Sequence, residues 1–134
     1  MIPQIIKKII DDQKMGQGFI RIWGSGNSKR DFLYAEDAAE WILLATERYD
    51  KPEPVNIGSG TDIAIRELVK KLCDVMDYRG EIRFDSSRPD GQLRRLLDVA
   101  RAEREFGFRA VRVLTRDLRK QLSALERRIS RLST

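Results

Sequence analysis

The sequence contains no histidine and only one cysteine among its 134 residues. Histidine is the commonest acid/base side chain and metal ligand at neutral pH, so its absence argues against a metal-dependent enzyme. A single cysteine cannot form an internal disulfide, which fits the reducing environment of the cytoplasm. We therefore expect a cytoplasmic protein without a metal site.

Long apolar runs are also missing. No stretch approaches the ~20 residues that a membrane-spanning helix needs. The first ten residues have neither the layout nor the small-residue cleavage site of a signal peptide. The length suits one domain, so we expect a single domain over residues 1–134 with no membrane partner.

The net charge of +5 arises from 26 basic and 21 acidic residues, most of which alternate along the chain. This excess permits an anionic partner but does not choose among nucleic acid, membrane and phosphorylated metabolite. The densest basic stretch, residues 116–131, contains no aromatic side chains on which bases could stack. We therefore expect no nucleic-acid partner.

Periodicity predicts alternating helices and strands. Helices are predicted over residues 2–10, 35–48, 65–76, 100–106 and 115–131, and strands at 19–23, 31–34, 55–57 and 81–84. The buried face of the second helix is predicted to hold Ala38, Trp41, Ile42 and Ala45. This order indicates the α/β class, as an α+β-like fragment with too few strands for a complete Rossmann sheet.

Two Gly-x-Gly pairs suggest nucleotide binding at first sight. A dinucleotide fingerprint needs a third glycine three positions after the second. The pair at 24 and 26 is followed there by Lys29, and the pair at 58 and 60 by Ile63. Both pairs are better interpreted as plain turns.

The chain also lacks a recognisable catalytic set. Cys73 lies on an apolar helical face, where a free cysteine is usually a small buried hydrophobe. None of Tyr34, Tyr49 and Tyr78 has a lysine four residues later, the spacing that would lower the phenol's pKa for proton transfer. We therefore assign no catalytic and no cofactor-binding residue.

Six short segments stand out because they occur together in a fixed order. They are residues 22–26 (IWGSG), 29–34 (KRDFLY), 55–60 (VNIGSG), 65–68 (IREL), 84–91 (FDSSRPDG) and 94–98 (RRLLD). Together they resemble the C-terminal, substrate-binding part of the GDP-L-fucose synthase family, a branch of the extended short-chain dehydrogenase/reductases. The family-like core covers residues 1–114, and residues 115–134 form a divergent C-terminal helix.

The resemblance implies an NADP-dependent epimerase-reductase that acts on GDP-4-keto-6-deoxymannose. The family's cofactor loop and its catalytic Ser, Tyr and Lys lie upstream of anything in this sequence. We therefore expect a GDP-sugar substrate, but no NADP binding and no turnover by this chain alone. Its protein partner would be a separate cofactor-binding half or a second copy of the chain.

Five residues match positions that line the GDP-sugar pocket in the family: Lys8, Trp23, Arg30, Asp90 and Arg95. Arginine suits a diphosphate because a planar guanidinium donates two hydrogen bonds at once. The tryptophan ring has a broad apolar face for a base or sugar, and the aspartate could accept hydrogen bonds from guanine or sugar hydroxyls. The alternative to a binding site is that Trp23 lies in the core and that Lys8, Arg30 and Arg95 form surface salt bridges.

The sequence departs from the family pattern at several of these segments. Family members usually have lysine at position 95 and Thr-Pro where this chain has Gln92 and Leu93. They commonly have threonine where Ala64 stands, and losing that helix cap costs on the order of 1 kcal/mol. A fragment of another nucleotide-sugar epimerase/dehydratase is therefore an alternative.

A second alternative is a non-catalytic protein-association module. This alternative is suggested by an apolar stripe in the tail, which covers barely two heptads at positions 118, 122, 125, 129 and 132. The same stripe could pack on its own domain. In the family fragment, the isoleucine helix at the N-terminus is also expected to expose an apolar patch.

Light scattering over a concentration series tests both sources of association. If the tail stripe or the isoleucine helix mediates contacts between chains, the apparent mass will rise with protein concentration. A monomer that persists at high concentration would exclude the association module.

Overall fold

The computed structural model describes residues 1–109 together with residues 118, 122 and 123. The elements in chain order are α1 (Ile2–Met15), β1 (Phe19–Trp23), β2 (Lys29–Arg30), α2 (Ala35–Arg48), β3 (Ile63–Ala64), α3 (Ile65–Val75), β4 (Glu81–Asp85), β5 (Arg94–Arg95) and α4 (Ala100–Phe106). This alternation confirms the α/β class. Within the described ranges, no helix combines the length and apolar character that crossing a bilayer requires.

The strands form two small sheets. β1 and β4 lie parallel, with Phe19 opposite Glu81 and Trp23 opposite Asp85. β2 is the centre of the second sheet, antiparallel to β3 and parallel to β5. The largest sheet in the described part of the chain therefore has three strands.

The main core lies between α1, α3 and the two-stranded sheet. Its buried side chains include the isoleucines of α1, two of β1 and the apolar stripe of α3: Ile2, Ile5, Ile6, Ile9, Ile20, Ile22, Leu68, Val69 and Leu72. Burial of each such side chain stabilises the fold by roughly 1.5–3 kcal/mol. Because the α1 stripe packs inside this chain, the expectation that it forms an exposed patch is wrong.

A second, smaller core lies between α2 and α4. Trp41 meets Phe108 edge to face, with 4.8 Å between ring centroids. Ala38, Trp41 and Ala45, which were predicted to be buried, are half-buried. The prediction is wrong for Ile42, which is 54% exposed, and the neighbouring Leu43 is 66% exposed. α2 therefore presents a second apolar face to solvent.

Two predicted strands are wrong. Residues 31–34 are irregular, and the strand lies just before them at Lys29–Arg30. Residues 55–57 are also irregular: Val55 and Ile57 pack on the second core, and Asn56 Nδ2 donates to the carbonyl of Asp98 at 3.2 Å. The alternating pattern there reflects packing against that core rather than a hydrogen-bonded ladder.

Most of the helix predicted over residues 115–131 lies outside the described residues. The exceptions are Leu118, Leu122 and Ser123, which are helical. Leu118 is fully buried in the main core, and Leu122 packs against that core. The first two positions of the tail stripe thus pack on their own domain. This argues against the hypothesis that the stripe is a protein-association module.

A buried polar pair ties the segment after α3 to α1. The Tyr78 hydroxyl donates to Asp12 Oδ2 at 2.6 Å, and Asp12 Oδ1 is buried with no hydrogen-bond partner. Burial, reinforced by the hydrogen bond and negative charge of Asp12, raises the pKa of Tyr78 above its usual value. The phenol is therefore neutral and acts as a donor to the carboxylate.

We expect Tyr78→Phe to destabilise the fold at pH 7 by about 1–3 kcal/mol, because it leaves both oxygens of a buried carboxylate unpartnered. The unfolded phenol ionises near pH 10, whereas the folded one ionises higher. The stability from Tyr78 is therefore complete below about pH 10 and lost as the pH rises further. Urea unfolding from pH 7 to 11 should show that the difference in the free energy of unfolding between wild type and Tyr78→Phe becomes smaller above pH 10.

Tyr49→Phe is the matched control, because the Tyr49 hydroxyl donates to an exposed carbonyl, that of Glu53, at 2.8 Å. It should change stability much less than Tyr78→Phe. Equal effects of the two substitutions would contradict a special role for the buried pair.

Candidate functional site

A cleft of about 560 Å³ opens between α1, the end of β1 and the loop after β4. It is lined by Met1, Gln4, Ile5, Lys7, Lys8, Asp11, Ile22, Trp23, Gly26, Ser28, Arg30, Ile65 and Asp90. The structure thus brings together four of the five residues predicted for the site: Lys8, Trp23, Arg30 and Asp90. Arg95 is not among the lining residues.

Trp23 ends β1 and is 68% exposed, so the alternative of a core tryptophan is wrong. Two cations lie over its ring: Lys8 Nζ is 5.8 Å and Arg88 Cζ is 5.3 Å from the centroid. Such contacts are favourable because the ring face carries partial negative charge. Lys8 Nζ also donates to the carbonyl of Arg21 at 2.6 Å, which holds the ammonium beside the ring.

Arg30 and Arg95 lie opposite each other on the adjacent strands β2 and β5. Arg30 Nη1 donates to the carbonyl of Lys29 at 2.7 Å, and Arg95 Nε donates to Gln92 Oε1 at 3.2 Å. Among the described residues neither arginine forms a salt bridge, and neither does Lys8. The alternative, in which these three cations form surface salt bridges, is therefore wrong for the described residues.

Asp90 is held by the turn that follows β1. Its Oδ1 accepts from the backbone N–H of Ser25 at 2.5 Å, and its Oδ2 accepts from the Ser25 hydroxyl at 2.6 Å. The Asp90 carbonyl accepts from the Ser28 hydroxyl at 3.1 Å. The hydroxyl and N–H of Ser25, with the charge of Arg30, lower the pKa of Asp90, so the carboxylate is ionised at neutral pH.

The glycines of this turn are required by close packing. A Cβ at Gly24 would lie 2.3 Å from Asp90 Oδ1, and a Cβ at Gly26 would lie 2.5 Å from the Phe84 ring. Both glycines also have positive φ values, +86° and +77°, which other residues adopt only with strain. The absence of a side chain at Gly24 leaves room for the Asp90 carboxylate, and its absence at Gly26 leaves room for the Phe84 ring.

A second aspartate occupies the other glycine turn, although only one of its two oxygens is hydrogen-bonded. Asp31 Oδ1 accepts from the backbone N–H of Ser59 at 3.0 Å and from the Ser59 hydroxyl. A Cβ at Gly58 would lie 2.7 Å from Asp31 Oδ2. Both Gly-x-Gly pairs are therefore turns, as predicted, and each holds an aspartate side chain. A dinucleotide phosphate would meet an aspartate side chain at either turn, so the two turns do not offer the free backbone N–H groups of a dinucleotide-binding loop.

The N-terminus of α3 packs on the carbonyls of the first glycine turn. Ala64 precedes the helix and makes no side-chain cap. Instead the N–H groups of Ile65 and Arg66 donate to the carbonyls of Ser28 and Gly26, at 3.0 and 2.9 Å. The missing threonine cap is thus replaced by backbone bonds that also fix the turn at the cleft wall.

Sequence reasoning missed three residues that shape the site: Ser25, Arg66 and Arg88. Arg66 Nη2 donates to the carbonyl of Ser25 at 2.8 Å and its guanidinium lies 5.6 Å from the centroid of the Phe84 ring. Their partners lie far away in sequence, so no local spacing indicates these contacts. The only available signal was that all three residues fall within family-like segments, at 22–26, 65–68 and 84–91.

Cys73, Tyr49 and Tyr78 are not among the residues that line the cleft. Burial, with the nearby charge of Asp74, raises the pKa of the Cys73 thiol to about 11, so the thiol is protonated and a poor nucleophile. The hydroxyls of Tyr49 and Tyr78 already donate to Glu53 and Asp12. No group of three or more metal-binding side chains occurs within the described ranges.

Comparison with known proteins agrees with this architecture. Residues 1–58 match the sequence model of the NAD dependent epimerase/dehydratase family. A GDP-L-fucose synthase from Sinorhizobium fredii is 41% identical over 101 residues, which are 75% of this chain and 32% of that protein. A GDP-L-colitose synthase from Yersinia pseudotuberculosis is 38% identical over 109 residues, 81% of this chain and 35% of that protein.

The fold matches solved structures as well. A GDP-L-fucose synthetase from Naegleria fowleri, solved bound to NADP, superposes with a TM-score of 0.88 at 22% identity, over 96% of this chain and 40% of that one. The chain thus has the fold of part of an extended short-chain dehydrogenase/reductase. Its sequence is similar to the NAD dependent epimerase/dehydratase family over residues 1–58, and the chain spans about a third of the length of the curated relatives it matches.

We expect Ser25→Ala to raise the pKa of Asp90 back toward its usual value, because the substitution removes the hydroxyl donor to Oδ2. A lowered carboxyl pKa stabilises the fold above the unfolded pKa and ceases to do so in acid. The melting temperature of Ser25→Ala should therefore be lower than that of wild type at pH 7, and the difference should shrink toward pH 3. Carboxyl ¹³C NMR titration reports the pKa directly.

Ser87→Ala is the matched control. Ser87 donates its hydroxyl to Asp85 Oδ1 at 2.5 Å, so its loss should shift the titration of Asp85 and leave that of Asp90 unchanged. An unaltered Asp90 titration in Ser25→Ala would show that the hydroxyl does not hold this carboxylate.

Proposed function

We propose that this chain is the GDP-sugar-binding portion of a GDP-L-fucose synthase-like enzyme, which epimerises and reduces GDP-4-keto-6-deoxymannose with NADP. The observation that supports the proposal is the meeting of Lys8, Trp23, Arg30 and Asp90 in one cleft. These residues come from α1, β1, β2 and the loop after β4, so their proximity is a product of the fold rather than of sequence spacing.

The cleft has the chemistry that a nucleoside diphosphate sugar needs. Lys8 and Arg30 supply positive charge that no salt bridge among the described residues neutralises. The exposed ring of Trp23 supplies a stacking surface for a base or sugar. Arg95, beside Arg30 in the sheet, is proposed as a further diphosphate ligand that approaches when substrate binds.

The role of this portion is to position the substrate. When the nucleotide is held, the sugar is fixed relative to the reacting groups. A bimolecular reaction between the sugar and these groups then becomes effectively intramolecular. The reacting groups and the NADP site are assigned to a separate cofactor-binding half, because a second copy of this chain would carry only the same residues. The enzyme is proposed to act in the cytoplasm, and this chain alone is proposed to be inactive.

Isothermal titration calorimetry with GDP, UDP, dTDP and NADPH tests the proposal. GDP should bind and NADPH should not. Arg30→Ala should weaken GDP binding by roughly tenfold or more, since a hydrogen bond to a charged group contributes about 1.5–3 kcal/mol.

Arg79→Ala is the control, because Arg79 is exposed and paired with Asp77 at 2.5 Å, away from the cleft residues. It should leave GDP affinity unchanged. Failure of all four ligands to bind, or equal loss in both variants, would count against a nucleotide-sugar site in this chain.

A further inference from the structure

A second carboxylate lies in the same cleft, on α1. Asp11 follows Lys8 by one helical turn, is half-buried, and lines the cleft together with Trp23. Its Oδ2 accepts from Lys7 Nζ at 2.5 Å, whereas Oδ1 has no partner among the described residues.

Asp90, the other carboxylate that lines the cleft, is engaged differently. Each of its oxygens already accepts a short hydrogen bond from Ser25. Asp90 therefore serves first to hold the turn, and the acceptor that is open to a ligand is Oδ1 of Asp11.

A carboxylate beside a stacking surface discriminates among bases. It accepts hydrogen bonds and donates none when ionised, so it pairs with a base edge that presents adjacent donors. Guanine has such an edge, with its ring N1–H next to the 2-amino group. Uracil and thymine place a single N–H between two carbonyls, which would repel the carboxylate.

We propose that Asp11 is the residue that selects guanine, an inference that rests on the proposed function of the cleft as a nucleotide-sugar site. Oδ1 accepts from one of the two guanine donors, and Oδ2 exchanges its contact with Lys7 for the other. The exchange costs little because Lys7 and Asp11 form an exposed pair one turn apart, with side chains 73% and 43% accessible.

The test compares GDP with inosine diphosphate, which lacks only the 2-amino group. Both ligands carry the same diphosphate, so changes in the general charge of the cleft cancel in the ratio of their affinities. Wild type should prefer GDP by roughly tenfold or more, the effect of one charged hydrogen bond. Asp11→Asn should bring the ratio close to one.

Two control variants separate this role from a structural one. Lys7→Gln removes the helical ion pair but keeps the carboxylate, so it should retain the preference for GDP. Asp74→Asn removes an exposed acid on α3 and should also retain it. Circular dichroism melting of each variant checks that the fold is intact.

The outcomes are distinct. If wild type binds neither nucleotide, the proposed function itself fails and Asp11 has nothing to select. If wild type binds GDP but binds inosine diphosphate equally well, the nucleotide site stands and the role of Asp11 is overturned; this comparison needs no variant. A preference that persists in folded Asp11→Asn would overturn it as well.

Discussion

The cleft depends on a carboxylate enclosed by a glycine turn. Asp90 accepts from Ser25 across 65 positions of the chain, and this contact brings the loop after β4 onto the end of β1. The turn also receives the first N–H groups of α3 on the carbonyls of Gly26 and Ser28. Trp23 and Arg30 flank the turn on either side, so their separation is set by the same interaction.

Longer elements could be predicted from the sequence because their burial is periodic. The isoleucines of α1 and the apolar stripe of α3 repeat at helical spacing, and β1 alternates between buried and exposed residues. The strands β2, β3 and β5 have two residues each, which is too short for any period to be detectable. The exposure of Ile42 was equally unpredictable, because an apolar stripe does not reveal whether a partner surface is present.

The candidate site was predictable only in part. The family-like segments indicated Lys8, Trp23, Arg30 and Asp90, and these do line one cleft. Arg95 stays a prediction, since its exposed side chain lies outside that lining. The contact between Ser25 and Asp90 could not be read from spacing. An acid four residues after a lysine on a helix has the spacing of an ordinary solvated ion pair, so the sequence alone does not indicate Asp11 as a site residue.

The close approach at Gly24 has a consequence for how such a site can change over generations. Since a Cβ at Gly24 would lie 2.3 Å from Asp90 Oδ1, any side chain there competes with the carboxylate for the same space. A lineage that keeps the aspartate is therefore expected to keep the glycine. One that loses the aspartate is released from this clash, and then only the positive φ of Gly24 resists replacement. The clash therefore makes the aspartate depend on the glycine, whereas the glycine is also favoured by its own backbone conformation.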